Sequence, residues 1–348
     1  MFKRYQTKQI KIGNISLGGN NDVLIQTMCD IKTSRIKSVV KQIKKCEELG
    51  CNLIRVSVLD IKDAKAIKQI KKQISIPLIA DIHFNYKLAL LSINNGADKI
   101  RINPGNIKNK AQLIEIIEAA KKNNVAIRIG VNQGSILDKK VIDEKTLVNL
   151  AIKYVHFFEK HNFHNIVISL KSSDPIKTYK SYMLISQKTS YPLHIGVTES
   201  GFDENGIIRS LSAIAPLLMN GIGNTIRISL SKDPYKEVLT ARKLLNDLNL
   251  RHDLPTIISC PTCGRCEVSN TKNIAKKIEK YLMEHKINIT VSIMGCIVNG
   301  IGEGKESDIG LAGGKNCYII FKKGITIKKT SKKDAYNELI KEIEKSNF

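Results

Sequence analysis

The sequence predicts an α/β chain: a TIM-type (β/α)8 barrel followed by a small α/β domain. Three observations predict it. Short apolar, β-branched runs alternate with lysine-rich segments of helical period. Eight such runs with crossover segments fit within about 230 residues, the count and length of a closed barrel. The rhythm stops near residue 250, and cysteines concentrate beyond it. The expected division is therefore 1–250 and 251–348.

Residues 6–21 read as a short β-hairpin, with Ile10, Ile12, Ile15 and Leu17 around a Gly13-Asn14 turn. The expected barrel strands are 23–28, 52–58, 77–82, 98–103, 126–131, 165–170, 193–198 and 225–230. Helical patterns cover 35–49, 62–73, 110–123, 145–160, 176–187 and 235–247. Gly50, Gly96 and Gly221 stand where helices should end. After Pro255 the pattern predicts a helix over 272–284, a strand over 287–293, a Gly-rich loop over 295–314, a strand over 317–321 and a helix over 331–346.

The formal net charge of +24 raises the question of nucleic acid or an anionic membrane. The lysines run along the whole length on polar helix faces with few aromatics among them, which makes them solvated surface and argues against nucleic acid. No apolar run reaches the roughly 20 residues needed to span a bilayer. The basic start Met1–Lys8 has no apolar core, so the expectation is a cytoplasmic chain without a signal peptide.

Arginine is distributed differently. The chain has ten, and four occupy one slot in four strands: Ile54-Arg55-Val56-Ser57, Ile100-Arg101-Ile102-Asn103, Ile127-Arg128-Ile129-Gly130 and Ile226-Arg227-Ile228-Ser229. Residues two apart on a strand face one side. Arg55 with Ser57, Arg101 with Asn103, Arg128 with Asn132, and Arg227 with Ser229 should therefore point into the barrel. Several guanidiniums in one enclosure require an anion, and their planar forks suit phosphate. The competing reading pairs each arginine with an inward carboxylate; only Asp81 and Glu199 are visible as candidates. Asp81, His83, Lys171 and Glu199 fall near the C-terminal ends of strands, where barrel active sites assemble.

A second constellation is Cys260-Pro261-Thr262-Cys263-Gly264-Arg265-Cys266, followed by Met294-Gly295-Cys296 and the loop through Gly304. Thiolates at this spacing can grip one metal centre, and glycines let backbone approach it. A structural zinc, a redox dithiol and an iron–sulfur cluster compete; the cluster accounts for both the cysteine run and the Gly-rich loop. With zinc, the alternative function is a barrel lyase or aldolase acting on a phosphorylated substrate. Gly304-Lys305 and Gly314-Lys315 are not P-loops, because Glu306 and Asn316 follow where Ser or Thr is required. Cys29, Cys46, Cys51 and Cys317 read as ordinary packed cysteines.

Five stretches, in order, resemble the 4-hydroxy-3-methylbut-2-enyl diphosphate synthase family of the non-mevalonate isoprenoid pathway. They are Pro77–Phe84 (PLIADIHF), Arg101–Asn106 (RINPGN), Arg128–Asn132 (RIGVN), Ser259–Arg265 (SCPTCGR) and Gly295–Gly300 (GCIVNG). The resemblance runs from about residue 5 to the end. It implies reductive ring opening and dehydration of 2-C-methyl-D-erythritol 2,4-cyclodiphosphate to (E)-4-hydroxy-3-methylbut-2-enyl diphosphate. It implies one [4Fe–4S] cluster per chain, held by Cys260, Cys263, Cys296 and Glu303, with Glu303 exchangeable and catalytic. Arg55, Arg101, Arg128, Lys171 and Arg227 would neutralise the diphosphate, with Asp81 beside them. His83, Asn103, Asn132 and Ser229 would orient it, and Glu199 would contact a hydroxyl or donate a proton. Flavodoxin or ferredoxin is the implied electron donor, and a head-to-tail homodimer the implied assembly.

The sequence departs from the family pattern twice. Ile301 stands where proline is common, although the Cys296-to-Glu303 spacing is kept. Cys266 creates a C-x2-C-x2-C run like that of bacterial ferredoxins. The expectation remains Glu303 as fourth ligand, because a carboxylate leaves the iron more readily than a thiolate.

Overall fold

Eight parallel strands form the barrel of the first unit. They are β3 (Leu24–Met28), β4 (Leu53–Val58), β5 (Leu78–Ile82), β6 (Lys99–Ile102), β7 (Ala126–Asn132), β8 (Ile166–Lys171), β9 (His194–Ile195) and β10 (Thr225–Ile226). The sheet order is β8-β7-β6-β5-β4-β3-β10-β9, and an Ile168–Leu193 bridge brings the two ends together. The computed structural model describes residues 3–107, 109–131, 143–231, 233–297, 302 and 304–346, with backbone alone at 132. The chain divides into two units, Met1–Leu250 and Arg251–Phe348.

Each barrel strand leads into a helix: α1 (Ile36–Glu48), α2 (Ile61–Lys71), α3 (Tyr86–Asn94), α4 (Lys110–Lys122), α5 (Glu144–Lys160), α6 (Pro175–Ser186), α7 (Asp203–Met219) and α8 (Pro234–Asp247). Side-chain oxygens of Asp60, Asn85, Asn109, Asp143, Asp174 and Asp233 accept from first-turn N–H groups of six of them. Gly50, Gly96 and Gly221 follow helix ends with positive φ, as their positions predict. The outward strand residues, such as Ile54, Val56, Ile100, Ile102, Ile127 and Ile129, pack with the helices in one large core. That alternation turns the intervening positions inward.

The hairpin β1 (Ile10–Ile12) and β2 (Ile15–Leu17) seals one end of the barrel. Ile10, Ile12 and Leu17 pack on Leu53, Ile79, Ala126 and Val167, the inward residues at the starts of four strands. The barrel therefore has a largely apolar floor, interrupted by Lys99, which pairs in register with Ile79 and Ala126.

The second unit is a five-stranded sheet in chain order: β11 (Thr256–Ser259), β12 (Thr290–Met294), β13 (Ile309–Gly314), β14 (Cys317–Lys322) and β15 (Ile325–Ser331). The first three are parallel and the last two antiparallel. α9 (Thr271–Glu284) and α10 (Ala335–Lys345) bury Ile274, Ile278, Leu282, Leu339 and Ile343 against it.

The structure corrects several boundaries. The strands expected over 193–198 and 225–230 are paired only at His194–Ile195 and Thr225–Ile226. At Gly196 a Cβ would stand 2.6 Å from the Arg227 carbonyl and 2.8 Å from Lys171 Nζ, so the backbone is shaped there by close approach and not by ladder pairing. The strand expected over 287–293 begins at Thr290. The Gly-rich stretch 295–314 is not all loop, because its last six residues form the fully buried β13. Gly310 and Gly313 are small there because Phe321 and the Gly295 carbonyl leave no room for a Cβ. Among the described residues, no helix is long and apolar enough to cross a membrane.

Candidate active site

Inward positions on seven of the eight strands and the residues that follow them converge on a cavity of about 190 Å³. It is lined by Arg55, Asp81, His83, Arg101, Arg128, Lys171, Arg227 and Ser229, all expected from the sequence, and by Gly130, Val131, Ser169 and Thr198, which were not. The register explains the convergence. Ser57 pairs with Asp81, Asp81 with Arg101, and Arg101 with Arg128, so one level of the barrel presents these side chains together.

Asp81 serves two arginines. Its carboxylate lies 3.3 Å from Arg101 Nη1 and 3.6 Å from Arg55 Nε, and His83 Nε2 lies 3.2 Å from Arg101 Nη1. Burial alone would raise the Asp81 pKa. Arg55, the His83 hydrogen bond, Arg101 and Arg128 outweigh it and hold the carboxyl well below the usual range. Burial, followed by Arg227 and Arg101, pushes Arg55 down to about 10 despite Asp81. Met28 Sδ fills the gap between Arg55 and Arg227, 2.8 Å from Arg55 Nη2 and 3.7 Å from Arg227 Nη1.

Arg227 has a carboxylate partner that the sequence reading missed. Glu237 on α8 accepts from Arg227 Nε at 3.0 Å and Nη2 at 3.1 Å, and from Leu230 N at 2.9 Å and the Thr27 hydroxyl. It is buried and fully engaged. Glu237→Gln should therefore leave a buried guanidinium without its counter-charge and destabilise the barrel by about 3–5 kcal/mol. Chemical denaturation of the variant checks this, and an unchanged midpoint contradicts it.

Arg128 stands apart. It is 1% exposed, and its Nε and Nη1 have no hydrogen-bond partner among the described residues. Burial, followed by Arg55 and Arg101, pushes it well below its ordinary pKa, against the opposing pull of Asp81 and then Tyr182. Lys171 is pushed down by burial and then by Arg128, Arg227 and Arg55. The cavity is lined by five cationic side chains, Arg55, Arg101, Arg128, Lys171 and Arg227, against the carboxylate Asp81, with Glu237 paired to Arg227. The excess of three formal positive charges is what an anionic ligand would offset. Two glycines make room for it. A Cβ on Gly130 would meet Arg101 Nε at 2.7 Å, and one on Gly196 would meet Lys171 Nζ at 2.8 Å. Gly130→Ala should push the Arg101 guanidinium aside and weaken anion binding at least tenfold with little change in fold stability. Ligand titration and a melt of the same sample separate the two effects.

Other expected residues lie outside the cavity lining. Asn103 is buried, and its side-chain oxygen accepts from Gly105 N at 3.2 Å. Glu199 is exposed with φ at 53°, a left-handed conformation that costs energy for a non-glycine residue and marks a site hint. The Asn132 side chain and Glu303 lie outside the described residues.

In the second unit the parallel pair β11–β12 brings two thiol-bearing segments to one end of the sheet. Cys260 N donates to Ile293 O, and Gly295 N donates to Cys260 Sγ at 3.1 Å. A Cβ on Gly295 would lie 2.4 Å from Cys266 Sγ and 3.4 Å from Cys260 Sγ, so glycine is required where two thiols meet backbone. Cys266 Sγ donates to the Val268 carbonyl at 2.9 Å. Cys263 is exposed, and hydrogen bonds from the Arg265 backbone and side chain lower its pKa toward thiolate. Cys296 is buried. Among the described residues no three His, Cys, Asp or Glu side chains form a ready metal cage. Soft thiols, one biased toward thiolate, and a glycine cradle nonetheless form a donor set that suits an iron–sulfur cluster. By contrast, burial pushes the thiols of Cys46 and Cys51 up to about 12 and Cys29 also upward, so these three are packing residues.

The fold and the cavity define a class: a (β/α)8 barrel with a cation-lined cavity, joined to a thiol-bearing domain. Residues 7–242 match the GcpE TIM-barrel domain, and residues 256–345 match the GcpE protein C-terminal domain. The chain belongs to the GcpE family. It is 48% identical to 4-hydroxy-3-methylbut-2-en-1-yl diphosphate synthase (flavodoxin) of Caldanaerobacter subterraneus subsp. tengcongensis, covering 98% of both chains. It is 49% identical to the protein of the same name from Caldicellulosiruptor saccharolyticus, covering 97% of this chain and 98% of that one. Among solved structures, dihydropteroate synthase of Stenotrophomonas maltophilia aligns with a TM-score of 0.53 over 72% of this chain and all of that one. At 14% identity that likeness shows the barrel fold alone.

Proposed function

We propose that the chain catalyses the reductive ring opening and dehydration of 2-C-methyl-D-erythritol 2,4-cyclodiphosphate to (E)-4-hydroxy-3-methylbut-2-enyl diphosphate, in cytoplasmic isoprenoid precursor synthesis. The observation that carries this reading is the buried, cation-rich cavity with an arginine at its wall whose Nε and Nη1 have no hydrogen-bond partner among the described residues. A cyclic diphosphate offers two ionised phosphoryl groups at once, which suits several guanidiniums held around one enclosure. The curated relatives named for this reaction support it.

Arg55, Arg101, Arg128, Lys171 and Arg227 hold the diphosphate, and Asp81 and Glu237 fix the orientation of three of those guanidiniums before the ligand arrives. His83, Ser169, Thr198 and Ser229 offer donors and acceptors to the sugar-derived hydroxyls. Glu199, just beyond the β9 segment, is the residue we assign to a substrate hydroxyl or a proton donation. Asn103 and Asn132 complete the orienting set. One [4Fe–4S] cluster per chain, held by Cys260, Cys263, Cys296 and Glu303, would supply the two electrons when bound. GcpE enzymes are iron–sulfur enzymes. Flavodoxin is the donor named for the relatives; it or a ferredoxin serves here, and a basic surface favours either acidic partner. A head-to-tail homodimer would present one chain's thiol domain to its partner's barrel.

The test is an anaerobic preparation assayed for iron, sulfide, visible absorbance and conversion of the cyclodiphosphate. About four irons and four sulfides per chain with product formed support the reading. A colourless protein that retains zinc after anaerobic reconstitution overturns it.

A further inference from the structure

Beneath the cavity the barrel holds a polar level to which the proposed reaction gives no task. Lys99 and Arg101 alternate with Ile100 and Ile102 on β6, so both point inward, about 7 Å apart along the strand. Lys99 is 0% exposed, and its Nζ reaches Gln26 Oε1 at 3.4 Å. Lys99 pairs in register with Ile79 and Ala126, so it stands among the apolar floor residues Leu53, Ile79, Ala126 and Val167. The groups that face this level are Gln26 from β3, Arg55 from β4, Arg128 from β7 and His194 from β9. None of these is an anion. The carboxylates of the level above are committed elsewhere, Asp81 to Arg55 and Arg101, Glu237 to Arg227.

His194 does not compensate either. It is fully buried, its Nδ1 lies 2.7 Å from the Thr225 hydroxyl, and its Nε2 has no hydrogen-bond partner among the described residues. Burial, and then Lys171, Arg128, Lys99 and Arg55, keep it neutral. A guanidinium stays charged in almost any protein setting, whereas a buried amine can shed its proton. Burial, and then Arg128 and Arg55, push Lys99 well below its ordinary range. The least costly way to relieve a crowded, anion-free cation lattice is thus to discharge its deepest lysine.

We propose that Lys99 is a neutral amine in the empty barrel and takes one proton from solvent when the anionic substrate enters, so that binding is coupled to protonation one level below the cavity. This rests on the reading that the cavity takes a cyclic diphosphate. One N–H bond forms on Nζ, the proton comes from buffer, and no electron moves. Each phosphorus of a cyclic diphosphate carries one strongly acidic oxygen, ionised both free and bound, so the ligand itself contributes no proton near neutrality. The sign follows: the bound state holds more protons. Affinity is therefore full below the empty-state pKa of Lys99 and falls as pH rises toward its loaded-state pKa, by about tenfold per pH unit within that window.

The experiment is anaerobic calorimetry of cyclodiphosphate binding to the holoenzyme without reductant, in Hepes and in Tris, whose ionisation enthalpies differ. Scanned between about pH 7 and pH 9, the wild type should take up more protons than Lys99→Met, a neutral side chain of similar length. Affinity of the variant should lose the matching pH slope. Equal proton uptake by the two proteins overturns the inference, and zero uptake by the wild type across the range does so even if the variant fails to fold. Either result leaves the cyclodiphosphate reading intact. Failure of the wild type to bind the cyclodiphosphate at all overturns that reading and the inference with it.

Discussion

Arg128→Met is expected to lower affinity for the cyclodiphosphate by 100-fold or more while leaving the empty protein at least as stable as wild type. The two effects have opposite origins. In the empty barrel the guanidinium is buried, its Nε and Nη1 have no partner among the described residues, and Arg55 and Arg101 repel it. Removing it removes a desolvation penalty and a like-charge contact. In the complex it would make charge-assisted hydrogen bonds worth about 1.5–3 kcal/mol each, and a bidentate contact loses two of them. A melt of the ligand-free variant together with KM and kcat checks both halves. A destabilised variant with unchanged KM would assign Arg128 a structural role.

The second large effect concerns the thiol domain. Cys260→Ser should abolish the visible absorbance and reduce iron per chain to near zero, whereas Cys266→Ser should keep both. Cys260 sits where β11 ends, fixed by hydrogen bonds to Ile293 and Gly295, and hydroxyl is a far poorer ligand for iron than thiolate. Cys266 lies at the same glycine but donates its proton to the Val268 carbonyl, a task that a serine hydroxyl can take over. Iron and sulfide assays after identical reconstitution compare the two. Loss of the cluster from Cys266→Ser would make Cys266 a ligand and displace Glu303 from that role.

The sequence made the barrel legible because each strand–helix unit repeats one rhythm and the arginines recur at a fixed place within it. Period-two alternation then placed Arg55, Arg101, Arg128 and Arg227 on the inner face, and eight of the expected residues line one cavity. Glu237 was missed because a carboxylate in a lysine-rich helix looks like surface. Yet it lies in the stripe Pro234, Glu237, Val238, Ala241 and Leu245 that α8 buries, and that spacing is the signal that could have found it. Lys99 is legible in the same way, two residues before Arg101, but one lysine among many carries no signal of its own. β13 could not be read from periodicity, because the packing of Phe321 and Gly295 requires glycines where a strand normally shows side chains. Asn103 directly follows β6 and Glu199 lies beyond the short β9, and their side chains are not among those that line the cavity.

The most direct test of the proposed chemistry is electron stoichiometry. The reconstituted enzyme would be given the cyclodiphosphate and a limiting amount of a strong one-electron donor, with the product identified by mass and phosphorus resonance. Two electrons consumed for each (E)-4-hydroxy-3-methylbut-2-enyl diphosphate formed is the predicted result. Ring opening without consumption of reductant, giving a product that retains the elements of water, would contradict it and make the barrel a non-redox phosphate-handling enzyme.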